Sequence, residues 1–189
     1  MTATKLKDSG FLVVMETLCK QLATNVDVAF PELVAAFGDG LYSGVSRLVP
    51  QSADAEDICA ETFLRVYRAL KDMPAHQIRH LDLAPWIWTI ALNLSRNAAR
   101  RRFRKPWVRL DPSWNGTAAG SGPEALVVDR SHVEVLLAEL SPQQRTALVL
   151  RYVVGLPYAE IAVATGRPQG SIKSDVNRGL ERLRRTEGT

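Results

Sequence analysis

The stretch from about Trp107 to Arg130 constrains this chain more than any other feature. It contains DPSWNGTAAGSGPEA, in which Pro112, Gly116, Gly120, Gly122 and Pro123 break helix and strand periodicity alike. No packed element runs through such a segment, so the apolar residues must be buried in blocks on either side of it. The segment reads as a flexible tether over residues 107–130. It joins a first block at 30–106 to a second at 131–187, with residues 1–29 as an N-terminal extension. Both blocks are rich in Ala, Leu and Arg and poor in β-branched runs, a balance that favours helices. With 46% hydrophobic and 23% charged residues, the chain has the composition of a folded protein. The expectation is an all-α fold of two small helical domains.

In the first block, Pro31 to Leu48 reads as a helix with Leu33, Val34, Phe37, Leu41 and Val45 on its apolar side. A second helix follows in SADAEDICAETFLRVYRALK. Ser52 or Asp54 can cap it, and Asp54, Glu56 and Asp57 suit the positive end of the helix dipole. Cys59, Phe63, Val66, Tyr67 and Leu70 form the expected buried stripe. The opposite stripe is Asp57, Glu61, Leu64 and Arg68. Glu61 lies beyond the first turn, so dipole complementarity does not explain it, and a stripe part charged and part apolar suits a protein docking surface.

After a polar loop, KDMPAHQIRHLDLA, Pro85 opens another helix. Its buried stripe is read as Ile87, Ile90, Ala91, Leu94 and Ala98. Thr89, Asn93, Arg96, Asn97 and Arg100 share a polar face, and the helix runs out in RRRFRK. Seven basic residues and no acidic one occur between Ser95 and Arg109. Cationic residues with amides among them suit a nucleic-acid backbone and its bases. Trp86 reads as a core aromatic, whereas Trp88 lies off the buried stripe and is a candidate for stacking on an unpaired base.

The second block opens with Val133, Leu136, Leu137 and Leu140 at helical spacing. Ser141, Pro142 and Gln144 then spell a capping box with proline at the first helical position. That helix is expected to stop at Gly155. A short helix from Tyr158 to Ala164, a turn at Gly166 and a longer basic helix with Ile172, Val176, Leu180 and Leu183 inward form a helix-turn-helix pattern. The outward candidates for reading double-stranded DNA are Ser171, Lys173, Ser174, Asp175 and Arg178. Lys173 and Arg178 suit phosphate or guanine. Asp175 can accept from a cytosine amino group or orient Arg178.

Several functions find no support. There is no phosphate-binding Gly-rich loop, no nucleophile elbow and no carboxylate pair supported by a base, so no enzyme is expected. The Asp54, Glu56, Asp57 and Glu61 carboxylates admit a metal-dependent nuclease reading, but helix-end electrostatics accounts for most of them. His76 and His80 are spaced for zinc on a helix, yet they fall in a predicted loop without further ligands. No metal, cofactor or small-molecule substrate is implied. Cys19 and Cys59 form no disulfide framework. Without a signal peptide or an apolar run of spanning length, the expected location is the cytoplasm.

Three stretches together resemble the extracytoplasmic-function sigma factors of the sigma-70 family: DAEDICAETFLRVYRAL, PWIWTIALNLSRNAARRR, and LSPQQRTALVLRYVVGLPYAEIAVATGRPQGSIKSDVNRGLERLRR. The resemblance implies a region 2 helical bundle and a region 4 helix-turn-helix in a dissociable RNA polymerase subunit. By it, Asp57, Glu61, Leu64 and Arg68 would contact the β′ clamp of the polymerase core. Trp88, Asn93, Arg96, Asn97, Arg100 and Arg101 would meet the −10 promoter element. The loop from Lys71 to Leu83 would capture a flipped base, and the linker would thread the polymerase channel. The second block would bind the −35 promoter DNA and the β flap, and an anti-sigma factor is a further implied partner. Ala60 stands where the family usually has Gln, Pro168 where a capping residue is usual, and Asp175 where Arg is usual. The competing class is a polymerase-independent helix-turn-helix regulator.

Overall fold

The computed structural model describes the backbone of residues 9–104, 133 and 135–187, and the side chains of 13–100, 133 and 135–186. The predicted tether at 107–130 lies outside these residues. Every regular element among the described residues is helical.

The first block contains α1 (Ser9–Thr24), α2 (Val26–Leu48), α3 (Ser52–Asp72), the single turn α4 (Ala75–Ile78) and α5 (Leu83–Arg104). Asn25 separates α1 from α2, and its side-chain oxygen accepts from the backbone N–H groups of Asp27 and Val28. Part of the predicted N-terminal extension is thus built into the bundle. Leu18, Cys19 and Leu22 are buried, and α1 packs on α2 and α4. The expected polar loop contains the α4 turn, which buries Ile78.

The inward face of α3 differs in phase from the expected stripe. Ala55, Ile58, Thr62, Val66 and Leu70 are buried, while Cys59, Phe63 and Tyr67 are only half-buried. Small residues at 55 and 62 let α3 approach its neighbours, and the Thr62 hydroxyl donates to the Ile58 carbonyl at 2.6 Å. The larger rings sit at the edge, where Phe30 meets Phe63 and Tyr67 edge to face at 6.5 and 5.1 Å. Neither Ser52 nor Asp54 is the cap. Gln51 holds the N-cap position without a side-chain bond.

In the second block, residues 135–138 are helical. Then come α6 (Pro142–Leu148), α7 (Tyr158–Thr165) and α8 (Gln169–Glu187). The capping box forms in both directions: Gln144 N–H donates to Ser141 Oγ at 3.3 Å, and Ser141 N–H to Gln144 Oε1 at 3.1 Å. Beyond Leu148, α6 widens into a π-helical turn over Val149–Val154 and ends at left-handed Gly155. α7 ends in a Schellman motif: Gly166 N–H donates to Val163 and Arg167 N–H to Ala162, with Gly166 at φ 66°. A side chain there would be strained. Leu148, Leu150, Leu156, Ile161, Ile172 and Val176 fill the core of this block.

The two blocks share one continuous buried cluster. α2 packs on the π-turn, and α5 packs on α3 and on α7. At the seam, a Cβ on Gly44 would collide with the Trp88 ring and a Val154 methyl, so glycine is what permits this approach. α5 consequently buries two faces. Trp88, Leu92 and Ser95 join Ile87, Ala91 and Leu94 in the interior. Trp88 is 2% exposed while Trp86 is only half-buried, the reverse of the sequence expectation.

Candidate partner-docking and nucleic-acid interfaces

α3 turns Asp57, Glu61, Leu64 and Arg68 away from the bundle. Asp57 and Arg68 are exposed, Glu61 is partly so, and Leu64 is 41% exposed, a high value for a large aliphatic side chain. Glu61 accepts from Arg65 Nε at 2.7 Å. A shallow groove beside this stripe is lined by Ile58, Ala60, Arg65 and Leu94 with Asp57, Glu61 and Leu64. The face thus offers an apolar patch within mixed charge.

On α5, Asn93, Arg96, Asn97 and Arg100 are exposed on one side. Asn93 Oδ1 accepts from Arg96 at 3.0 Å. The side chain of Arg101 lies outside the described residues, as do the basic residues that follow it. Trp88 does not share this surface. It is buried at the seam by Gly44 and Val154, which corrects the reading of it as an open stacking residue. Leu92 at i+4 and Ser95 at i+7 from Trp88 were the signal that α5 has a second covered face.

On α8, Lys173, Ser174 and Arg178 are exposed and Ser171 is partly exposed. Lys173 Nζ lies 5.8 Å from the Tyr158 ring centroid, and Arg151 lies 4.8 Å from the same ring. Two cations thus approach one ring at the foot of the helix-turn-helix. Pro168 occupies the start of α8, its carbonyl accepting from the Ser171 and Ile172 N–H groups. Asp175 is only 6% exposed. Its Oδ2 accepts from Arg167 at 2.6 Å and its Oδ1 from Arg178 at 3.2 Å. Of the two roles open to Asp175 in the sequence, the geometry matches the one that orients Arg178. Arg167, at the turn, is a residue that sequence reading missed.

Two electrostatic features lie away from these faces. Asp27 on α2 accepts from the Tyr67 hydroxyl at 2.6 Å and from Lys71 at 2.9 Å, and these bonds lower its carboxyl pKa. Glu160 on α7, the helix that packs on α5, has a buried Oε2 to which no described residue donates. Burial, reinforced by the Asp82 carboxylate at the head of α5, pushes its carboxyl up to about 7. Cys59 is likewise pushed up, to about 11, by burial alone. His76 and His80 are exposed, and no group of side chains suited to a metal occurs among the described residues. No described helix is long and apolar enough to cross a membrane.

The sequence matches the description "Sigma-70 region 2" over residues 33–105 and "Sigma-70, region 4" over 132–183. It is 31% identical to the RNA polymerase sigma factor CarQ of Myxococcus xanthus, over 85% of this chain and 90% of that protein. The chain belongs to the extracytoplasmic-function sigma factors of the sigma-70 family. The ECF sigma factor SigW of Bacillus subtilis is 28% identical over 88% of this chain and 92% of its own length. SigE of Mycolicibacterium smegmatis is 31% identical over 86% of this chain, which spans 64% of that longer protein. Among solved structures, CnrH in complex with the cytosolic domain of CnrY superposes with a TM-score of 0.71 at 22% identity, covering 92% of this chain and 97% of that one. The sigma factor RpoE in complex with the anti-sigma factor NepR, from Bartonella quintana, gives 0.63 at 23%, covering 82% and 94%. At these identities the likeness carries the fold. Within this sigma factor, the region 2 match runs from α2 to the end of α5. The region 4 match contains α7, the turn and α8 as far as residue 183, and α1 precedes both.

Proposed function

We propose that this sigma factor selects promoters for core RNA polymerase through two separate DNA-contacting faces and one docking face. The observation that carries the reading is their coexistence in one chain: a mixed charged and apolar stripe exposed on α3, and a helix-turn-helix with an exposed cationic helix. A regulator that binds an operator alone has no use for the first. Asp57, Glu61, Leu64 and Arg68 dock on the β′ clamp of the core. Asn93, Arg96, Asn97, Arg100 and Arg101 contact the −10 strand. Ser171, Lys173, Ser174 and Arg178 meet the −35 duplex, whose major groove admits a helix of this kind. The two domains divide across residues 107–130, and the first takes in α1. The chain performs no chemistry and acts in the cytoplasm, where it meets the polymerase. The complex of the similar sigma factor RpoE with the anti-sigma factor NepR supports an anti-sigma protein as a further partner.

The test is in vitro transcription with purified core, with and without the full chain, on upstream regions from the native host. Defined start sites that depend on the chain are expected. A footprint on a palindromic operator by the chain alone, with no start site after core is added, would favour the polymerase-independent regulator.

A further inference from the structure

We infer that Asp175 is a positioning residue of the −35-reading helix, which holds the guanidinium of Arg178 in a fixed pose and is itself kept in place by Arg167. The inference rests on the promoter-selecting function proposed above and deepens it.

The Schellman motif at Gly166 reverses the chain at the end of α7, and Pro168 begins α8 at once. Arg167 is caught between them, with its backbone N–H committed to Ala162. Asp175 lies three residues after buried Ile172 and one before buried Val176, on the inward edge of α8. A carboxylate at such a position needs cationic partners close by, because an unpaired buried charge is costly. It has two. Arg167 Nη2 donates to Oδ2 at 2.6 Å, and Arg178 Nη2 donates to Oδ1 at 3.2 Å. Each carboxylate oxygen is engaged, and the side chain is 8% exposed. Buried in this way and turned to the two guanidinium groups, Asp175 does not face a cytosine amino group.

Arg178 is held at a second point, where its Nε donates to the Ser174 carbonyl at 3.3 Å. Two anchors on one planar guanidinium fix its orientation. The side chain is still 65% exposed, so its remaining donors are available to a base edge or a phosphate. A long exposed arginine normally surrenders rotamer freedom when it binds. Here much of that freedom is already removed by Asp175. Arg167 contributes by neutralising Asp175 from the other side, which keeps the carboxylate from being drawn out along with Arg178.

The experiment uses the full chain with core polymerase and a promoter library randomised across the −35 region, read by start-site sequencing. Wild-type protein must first give chain-dependent initiation; if it gives none, the sigma-factor reading fails and not this inference. With initiation established, Arg178→Ala, Asp175→Asn and Arg167→Ala are each expected to lower discrimination by about tenfold at the same base positions. Their −10 preference should be unchanged. Asp175→Asn combined with Arg178→Ala should be no worse than Arg178→Ala alone. Full discrimination in Arg167→Ala, with Asp175→Asn losing it at a different base position, would mean that Asp175 reads a base directly, and would overturn the inference. A uniform loss across all library members, with a matching fall in melting temperature, would reduce the trio to a structural brace and overturn it equally.

Discussion

Replacing Glu160 by Gln should stabilise this protein, and by more at neutral and higher pH than in mild acid. The carboxyl is raised from its usual 4.5 to about 7 by burial at the packed face of α7, with Asp82 adding in the same direction. In the folded chain the group keeps a proton that the unfolded chain has released, throughout the window between those two values. Stability therefore falls as pH rises from about 4.5 to about 7 and stays reduced above it. Counted in full, at 1.36 kcal/mol per pH unit, the shift corresponds to about 3 kcal/mol. Glu160 is partly exposed, so solvent screening reduces the expected penalty to roughly 1–2 kcal/mol. Gln keeps the shape and cannot ionise. Urea unfolding of wild type and Glu160→Gln at pH 5 and pH 8, analysed by linear extrapolation, gives the difference directly. Titration of groups common to both chains, the three histidines included, cancels in that difference. The stability gain should be roughly 1–2 kcal/mol at pH 8 and about a quarter of that at pH 5. A gain of equal size at both pH values, or a loss at pH 8, would refute the reasoning.

Glu61→Lys should weaken binding to core polymerase with little effect on the fold, because the side chain is partly exposed and its ion pair with Arg65 is worth only about 0.3–0.5 kcal/mol. Unchanged affinity in a pull-down titration would remove the docking role from this face. Gly44→Val should force the blocks apart, since even a Cβ meets Trp88 and Val154. Small-angle scattering should then show a larger radius of gyration, and an unchanged radius would mean that the seam tolerates the bulk. Gly166→Ala should cost about 1 kcal/mol at φ 66°, and Ser141→Ala a similar amount by removing the capping box, both read by thermal unfolding.

The helix-turn-helix was legible in the sequence because its signals are local. Ser141, Pro142 and Gln144 specify a cap within four residues, and Gly166 marks a left-handed turn that few other residues adopt. The inward set Ile172, Val176, Leu180 and Leu183 follows from one helix alone, and these residues are buried or partly so. The first block was less legible because its helices have more than one neighbour. On α3, periodicity found an apolar stripe but ranked Phe63 and Tyr67 above Ala55 and Thr62. Burial at a close helix crossing selects for small side chains, and a hydrophobicity count does not see that. α1 was set aside as an extension although Met15, Leu18 and Leu22 stand at i, i+3 and i+7. The ion pairs at Asp175 required knowing how the turn brings Arg167 back across α8.

Trp88 shows how the remaining gap bears on function. An aromatic beside a cationic helix end suits contact with an unpaired base, and the resemblance gave it that role. The fold instead places its ring at the seam, against Gly44 of α2 and close to Val154 of the π-turn. The same helix carries its cationic face outward through Asn93, Arg96, Asn97 and Arg100, and that face is uncovered in the same arrangement. The two faces of α5 thus differ in what they require. Backbone and amide contacts to a DNA strand are available with the blocks packed together, whereas any contact through Trp88 requires the second block to leave α5. Leaving would uncover the Trp88 ring on its Val154 side, and burial of a large side chain favours the packed state by about 1.5–3 kcal/mol. It would also return Glu160 to water, which above neutral pH opposes that preference. The balance at the seam is therefore set by apolar burial on one side and one ill-placed carboxylate on the other.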